Sequence, residues 1–106
     1  LRAELEADPF YHLCCITGVR RGYGTKIEWH HNFIFAGRQV NERWCILPLL
    51  KSVHAEANNR AVREKLDWVM LNRADEATLR RYSKAVDLVH RRDELNAKFG
   101  HYKVKL

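Results

Sequence analysis

Hydrophobic residues change their period once along this chain, close to Leu49, and that switch constrains the fold more than any other feature. Before it, apolar residues come in short β-branched and aromatic runs broken by glycine, the pattern of short strands and turns. After it, Val62, Leu66, Val69 and Met70 recur at the three- and four-residue steps that line one helix face. Strands first and helices after define an α+β arrangement rather than an alternating α/β one. A chain of 106 residues is expected to form a single domain, residues 1–106, around one modest core.

Element by element, the spacing predicts a helix over Leu1–Asp8, stopped by Pro9, and a strand over His12–Thr17. Three glycines in Gly18–Thr25 predict a hairpin or loop. Lys26–His31, extending toward Phe35, predicts a second strand, Ala36-Gly37 a turn, and Cys45–Leu47 a strand ended by Pro48. One long helix is expected from about Leu50 to Asn72, and another after Asp75 as N-cap, with Leu79 and Tyr82 inward. A third is expected over Val86–Phe99, stopped by Gly100. The tail His101–Leu106 alternates basic and apolar residues, as a strand or a frayed end would.

Composition narrows the partners. Lys and Arg total 19 against 13 Asp and Glu, a net charge of +6, which favours an anionic partner and nucleic acid first. The longest apolar run, Cys45–Leu50, is far short of the ~18 residues of a membrane span. No basic-then-apolar leader is present, and with Leu1 in place of Met the stretch is expected to be trimmed at its start. Three cysteines (Cys14, Cys15 and Cys45) without a CxxC pair fit neither a disulfide scaffold nor a Cys₄ zinc site. They read as small apolar residues in a reducing, intracellular setting. On a strand, neighbours Cys14 and Cys15 would face opposite ways, so that at most one is buried.

The six histidines carry more information. Glu28-Trp29-His30-His31 ends a predicted strand, and His54-Ala55-Glu56-Ala57-Asn58 lies where a helix is expected, so that His54 and Asn58 share a face. Two residues on successive helical turns and a strand histidine are a donor set able to close around one metal ion, leaving a neighbouring histidine as a base.

The sequence carrying this pattern resembles the HNH (ββα-metal, His-Me finger) nuclease family, in the form found in colicin DNases. The likeness rests on the His30-His31 pair, the 14-residue step to Cys45, nine more to His54 and four to Asn58. Cys15-Ile16-Thr17-Gly18 and Leu47-Pro48-Leu49 match the family's short flanking segments. It covers about residues 15–60, with a helical extension over about 61–106. The resemblance implies a ββα-metal core and a metal-dependent endonuclease hydrolysing DNA, in the manner of phage or mobile-element nucleases. His30, His54 and Asn58 would hold one divalent ion (Mg, Mn, Ni or Zn), and His31 would be the general base. The family's middle asparagine falls on Cys45, whose thiol hydrogen-bonds weakly, with Asn41, four residues earlier, as the alternative brace behind the base. The second CxxC knuckle of many members is absent around Lys51 and Val53.

The chemistry suits these side chains: imidazole deprotonates water near neutral pH, and a cation offsets charge on phosphate and leaving oxygen. Glu28, on the strand face of His30, is the expected hydrogen-bond partner of that ring. Arg38 or Arg43 would hold the phosphate, and Arg20, Arg21 and Lys51 would follow the DNA backbone. Arg80-Arg81 and Arg91-Arg92 are further basic pairs, while Trp29, Trp44, Trp68, Phe33 and Phe35 are expected in the core and His12, His90 and His101 on the surface. Two other classes remain open: a catalytically silent DNA-binding module that keeps the fold, and a basic protein-interaction domain with structural histidines.

Overall fold

The computed structural model describes residues 1–102; of the predicted tail, residues 103–106 lie outside that range. Helix α1 (Arg2–Ala7) ends at Asp8, whose carboxylate accepts the Phe10 N–H at 3.0 Å and starts a 3₁₀ turn over Pro9–His12. The strand expected over His12–Thr17 is absent. Leu13 makes one isolated bridge to Arg20, while the Gly18 N–H returns to the Cys14 carbonyl at 2.8 Å with Gly18 at φ 76°. Because this segment is a turn and not a pleated strand, both Cys14 and Cys15 are buried, correcting the expectation that only one would be.

Strand β1 (Ile27–His31) comes next, followed by a hairpin of β2 (Ile34–Phe35) and β3 (Arg38–Gln39). Ala36 and Gly37, at φ 53° and 78°, make the left-handed two-residue turn that matches the twist of paired strands. After a 3₁₀ turn at Arg43–Cys45, strand β4 (Ile46–Leu50) returns antiparallel to β1, with His30 opposite Leu47 and Glu28 opposite Leu49. Pro48 does not end this strand as expected. Its carbonyl accepts the Cys15 N–H at 2.9 Å, so its backbone polar side faces away from β1 and the missing N–H costs the ladder nothing.

Cross-strand partners share a face of the sheet. Glu28, His30, Leu47 and Leu49 therefore lie on one side, and Trp29 and Pro48 on the other. The single helix expected from Leu50 to Asn72 is instead two, α2 (Lys51–Ala55) and α3 (Arg60–Leu71). Asn59 breaks it: its side chain accepts the Ala61 N–H at 3.0 Å as the N-cap of α3, and residues 56–58 form the intervening turn.

Helix α4 (Glu76–Tyr82) starts at its expected cap, where Asp75 accepts the Thr78 N–H at 2.7 Å. Helix α5 (Leu88–Phe99) begins slightly later than expected, with Asp87 as its cap, and stops at Gly100. Among the described residues these five helices and two small antiparallel sheets make an α+β structure, and no helix is long and apolar enough to cross a membrane.

One core cluster joins these elements: Leu47 and Leu49 from β4, Leu66 and Val69 from α3, and Leu79 and Leu95 from the later helices. Tyr11 pins the return to β4 by sharing its one hydroxyl proton between the carbonyls of Arg43 and Ile46, at 2.6 and 2.8 Å. Arg73, just beyond α3, stacks 3.6 Å over Phe10 and pairs with Asp8. Helix α5 is latched to α3 by reciprocal Asn72–Asn96 amide bonds of 2.8 and 3.2 Å and by the Trp68 indole N–H on Asn96. Trp44 is buried, Trp29 and Trp68 pack against the core, and Phe33 and Phe35 stack with Tyr82.

Candidate active site

The last residues of β1 and the short helix α2 meet on the sheet face that carries Glu28 and His30. The rings of His30 and His54 stand edge to face with centroids 5.0 Å apart. Glu28 does not serve His30, as alternation suggested. Its carboxylate accepts from His54 Nδ1 at 2.8 Å, because α2 packs on β1 and brings His54 within reach of both strand side chains. A carboxylate only accepts, so Nδ1 carries the proton and Nε2 of His54 keeps a free lone pair. His30 Nε2 lies 3.1 Å from Asn32 Oδ1 instead. Burial, reinforced by the nearby His54, holds His30 below the ordinary imidazole pKa, which favours the neutral form of its ring.

His31, the next residue, points its Nε2 at Asn41 Oδ1, 3.1 Å away. The β2–β3 hairpin brings them together, since it returns the chain so that Asn41 passes the end of β1. Amide oxygen accepts only, so Nε2 is the protonated nitrogen and Nδ1 the basic one. Cys45 takes no part in the polar contacts of these histidines. It is wholly buried in the core, where desolvation and the neighbouring Glu42 push its thiol up to about 12.

Both histidines of the pair border a cavity of about 400 Å³ whose wall also holds Asn58, Arg63, Asp67 and Arg91. Asn58 reaches it from the turn between α2 and α3, not from the helix face of His54 as expected. Asn32, Arg63 and Asp67 join the site without having been marked by the histidine spacing. Asn32 directly follows the histidine pair, and Arg63 and Asp67 are four apart on α3 in step with the inward-facing Met70 and Leu71, a signal available in the helical spacing. Asp67 accepts the Asn32 amide N–H at 3.0 Å, and burial raises its pKa above the usual carboxylate value.

The predicted phosphate contacts divide. Arg43 pairs with Glu4 at 3.3 Å, and Arg38 is exposed on β3. Several of the basic pairs are neutralised within the chain: Arg80 and Arg92 by Glu76, Arg81 by Glu42, and Arg91 by Glu64 at 4.0 Å. Arg20, Arg21, Arg38, Lys51 and Arg63 form no ion pair among the described residues. Lys26 and Lys51 border one shallow surface depression beside the Gly22–Thr25 turn, next to another that Arg21 shares with Lys26.

No group of three or more His, Cys, Asp or Glu side chains is arranged to hold a metal ion among the described residues. The candidate donors are different in kind: His30 and Asn58 border the cavity, and the His54 ring lies 5.0 Å from that of His30. By donor type alone, two imidazoles and an amide oxygen are ligands that a borderline or hard divalent cation accepts. No protein-family model matches this chain, and neither a curated protein nor a solved structure matches it.

Proposed function

We propose that this chain is a metal-dependent endonuclease of the HNH type that hydrolyses DNA phosphodiester bonds with weak sequence specificity. The observation that carries the reading is that β1 carries His30, with the His54 ring against it, and His31, paired with Asn41. In this reading β1, β4 and α2 form the ββα-metal core. His30, His54 and Asn58 would hold one divalent ion (Mg, Mn, Ni or Zn), which supplies positive charge to the scissile phosphate and the leaving oxygen. Glu28 orients His54 through its Nδ1–H. His31, held by Asn41, takes a proton from the attacking water at Nδ1. Arg63, unpaired within the described chain and on the cavity wall, is better placed to meet a phosphate oxygen than Arg43, which Glu4 already engages. Contacts to DNA run through the backbone, with Arg20, Arg21, Arg38 and Lys51 adding long-range attraction. Three free, buried thiols fit a reducing, intracellular setting.

The test is nicking of supercoiled plasmid with each of the four ions in turn. Nicking that requires one of them and stops on chelation supports the reading. DNA binding with no nicking under any ion favours a catalytically silent binding module, and absence of both DNA and ion binding leaves only a basic interaction domain. The same preparation tests Arg63. The Arg63→Gln variant is expected to weaken DNA binding at low salt and to flatten the plot of log affinity against log salt by roughly one unit of slope, with no change in base preference. An unchanged slope would remove Arg63 from the DNA-contacting surface.

A further inference from the structure

We propose that Asp67 is a positioning residue that, acting through Asn32, sets the tautomer and orientation of the His30 ring. Its functional role rests on the proposed reading of the site, although the hydrogen-bond logic stands without it. Asn32 lies between two groups, with its Nδ2 3.0 Å from Asp67 Oδ1 and its Oδ1 3.1 Å from His30 Nε2. The reverse orientation of the amide would set its oxygen against a carboxylate, two acceptors in contact, so Asp67 dictates which end of Asn32 faces His30. The oxygen presented to His30 then requires a proton on Nε2, which leaves Nδ1 as the lone pair.

The arrangement is the mirror of that at His54, where Glu28 takes the Nδ1 proton directly and frees Nε2. The two rings that face each other at 5.0 Å are thus locked in opposite tautomers, each by a carboxylate, one direct and one relayed by an amide. The fold explains why a relay is needed. Glu28, on the face of His30, is already engaged by His54 of α2, and the carboxylate that serves His30 is Asp67 on α3, which bonds Asn32 and not the ring. Asn32, at the first position after β1, spans the gap, and its backbone N–H is itself fixed on the Cys45 carbonyl at 2.9 Å. Its amide N–H also touches the Met70 sulfur at 3.5 Å, which leaves it little freedom to turn.

The direct test is long-range ¹H–¹⁵N NMR of the imidazole rings in the metal-free protein, above the ordinary imidazole pKa so that the rings are neutral. Wild-type His30 is expected as the Nε2–H tautomer. Asp67→Ala is expected to give a mixture of tautomers. The exchanged pair, Asn32→Asp with Asp67→Asn, is expected to restore the single form, because the carboxylate now at position 32 accepts from His30 and the amide now at position 67 donates to that carboxylate. Zinc or nickel titration of the same proteins is expected to show affinity about 10- to 100-fold lower for Asp67→Ala and recovered in the exchanged pair. Circular dichroism of each variant reports whether the fold is kept. A wild-type His30 protonated on Nδ1, or a tautomer unaltered by Asp67→Ala, overturns the proposal. A His30 that shows the Nε2–H form and responds to Asp67, in a protein that binds no ion, upholds the relay and retires the nuclease reading instead.

Discussion

The His31→Ala variant is expected to lose about 10²- to 10⁴-fold in the rate of plasmid nicking while its DNA affinity stays close to wild type. The size follows from the proposed role of general base, for a single imidazole that Asn41 holds at Nε2 and that borders the cavity. In that proposed role its removal would delete proton transfer and leave the phosphate contacts. Measured side by side, metal-dependent nicking should fall and an electrophoretic binding curve should barely move. Equal nicking by wild type and variant would place the base elsewhere, and a parallel loss of binding would turn His31 into a binding residue.

The second large effect is on stability. Leu47 is fully buried on β4, directly opposite His30, and packs in the cluster that holds α3 against the sheet. Leu47→Ala is expected to cost about 2–5 kcal/mol, the transfer free energy of the lost methyl groups plus the cavity left behind. At about 4–8 °C per kcal/mol for a domain of this size, the melting temperature should fall by at least about 8 °C. A shift of only a degree or two would mean that neighbouring side chains collapse into the space and that the strand is not anchored as described.

The helical half of the molecule was readable because its signals are local. Asp75 and Gly100 act at the chain positions where they stand, as cap and stop, and Leu79 follows from spacing alone. The same logic failed at the break between α2 and α3. Apolar spacing continues through residues 50–72, and only Asn59, a residue as ordinary in a loop as at a cap, marks the interruption. The strand expected at His12–Thr17 failed because a short apolar run is equally a buried turn, and the choice was made by Gly18 and a long-range bond from Cys15 to Pro48. The site divides the same way. His30, His31 and His54 stand out by type and spacing, whereas their partners depend on which helix crosses which strand. Alternation put Glu28 on the right face but could not show that His54 would take its carboxylate. Asn32–Asp67 is a contact across 35 positions, and nothing local announces it.

Pro48 has a consequence for how the molecule behaves among its own copies. A two-stranded sheet ordinarily offers two unsatisfied margins on which a foreign strand can grow. On the outer margin of β4 the proline presents no donor, and its carbonyl is already taken by Cys15. The hairpin that carries the histidines is therefore blunted on that flank against templated strand addition, the route by which exposed sheets recruit one another into aggregates. The residue that looks in the sequence like the end of a strand is, in the folded chain, what closes one of its sides.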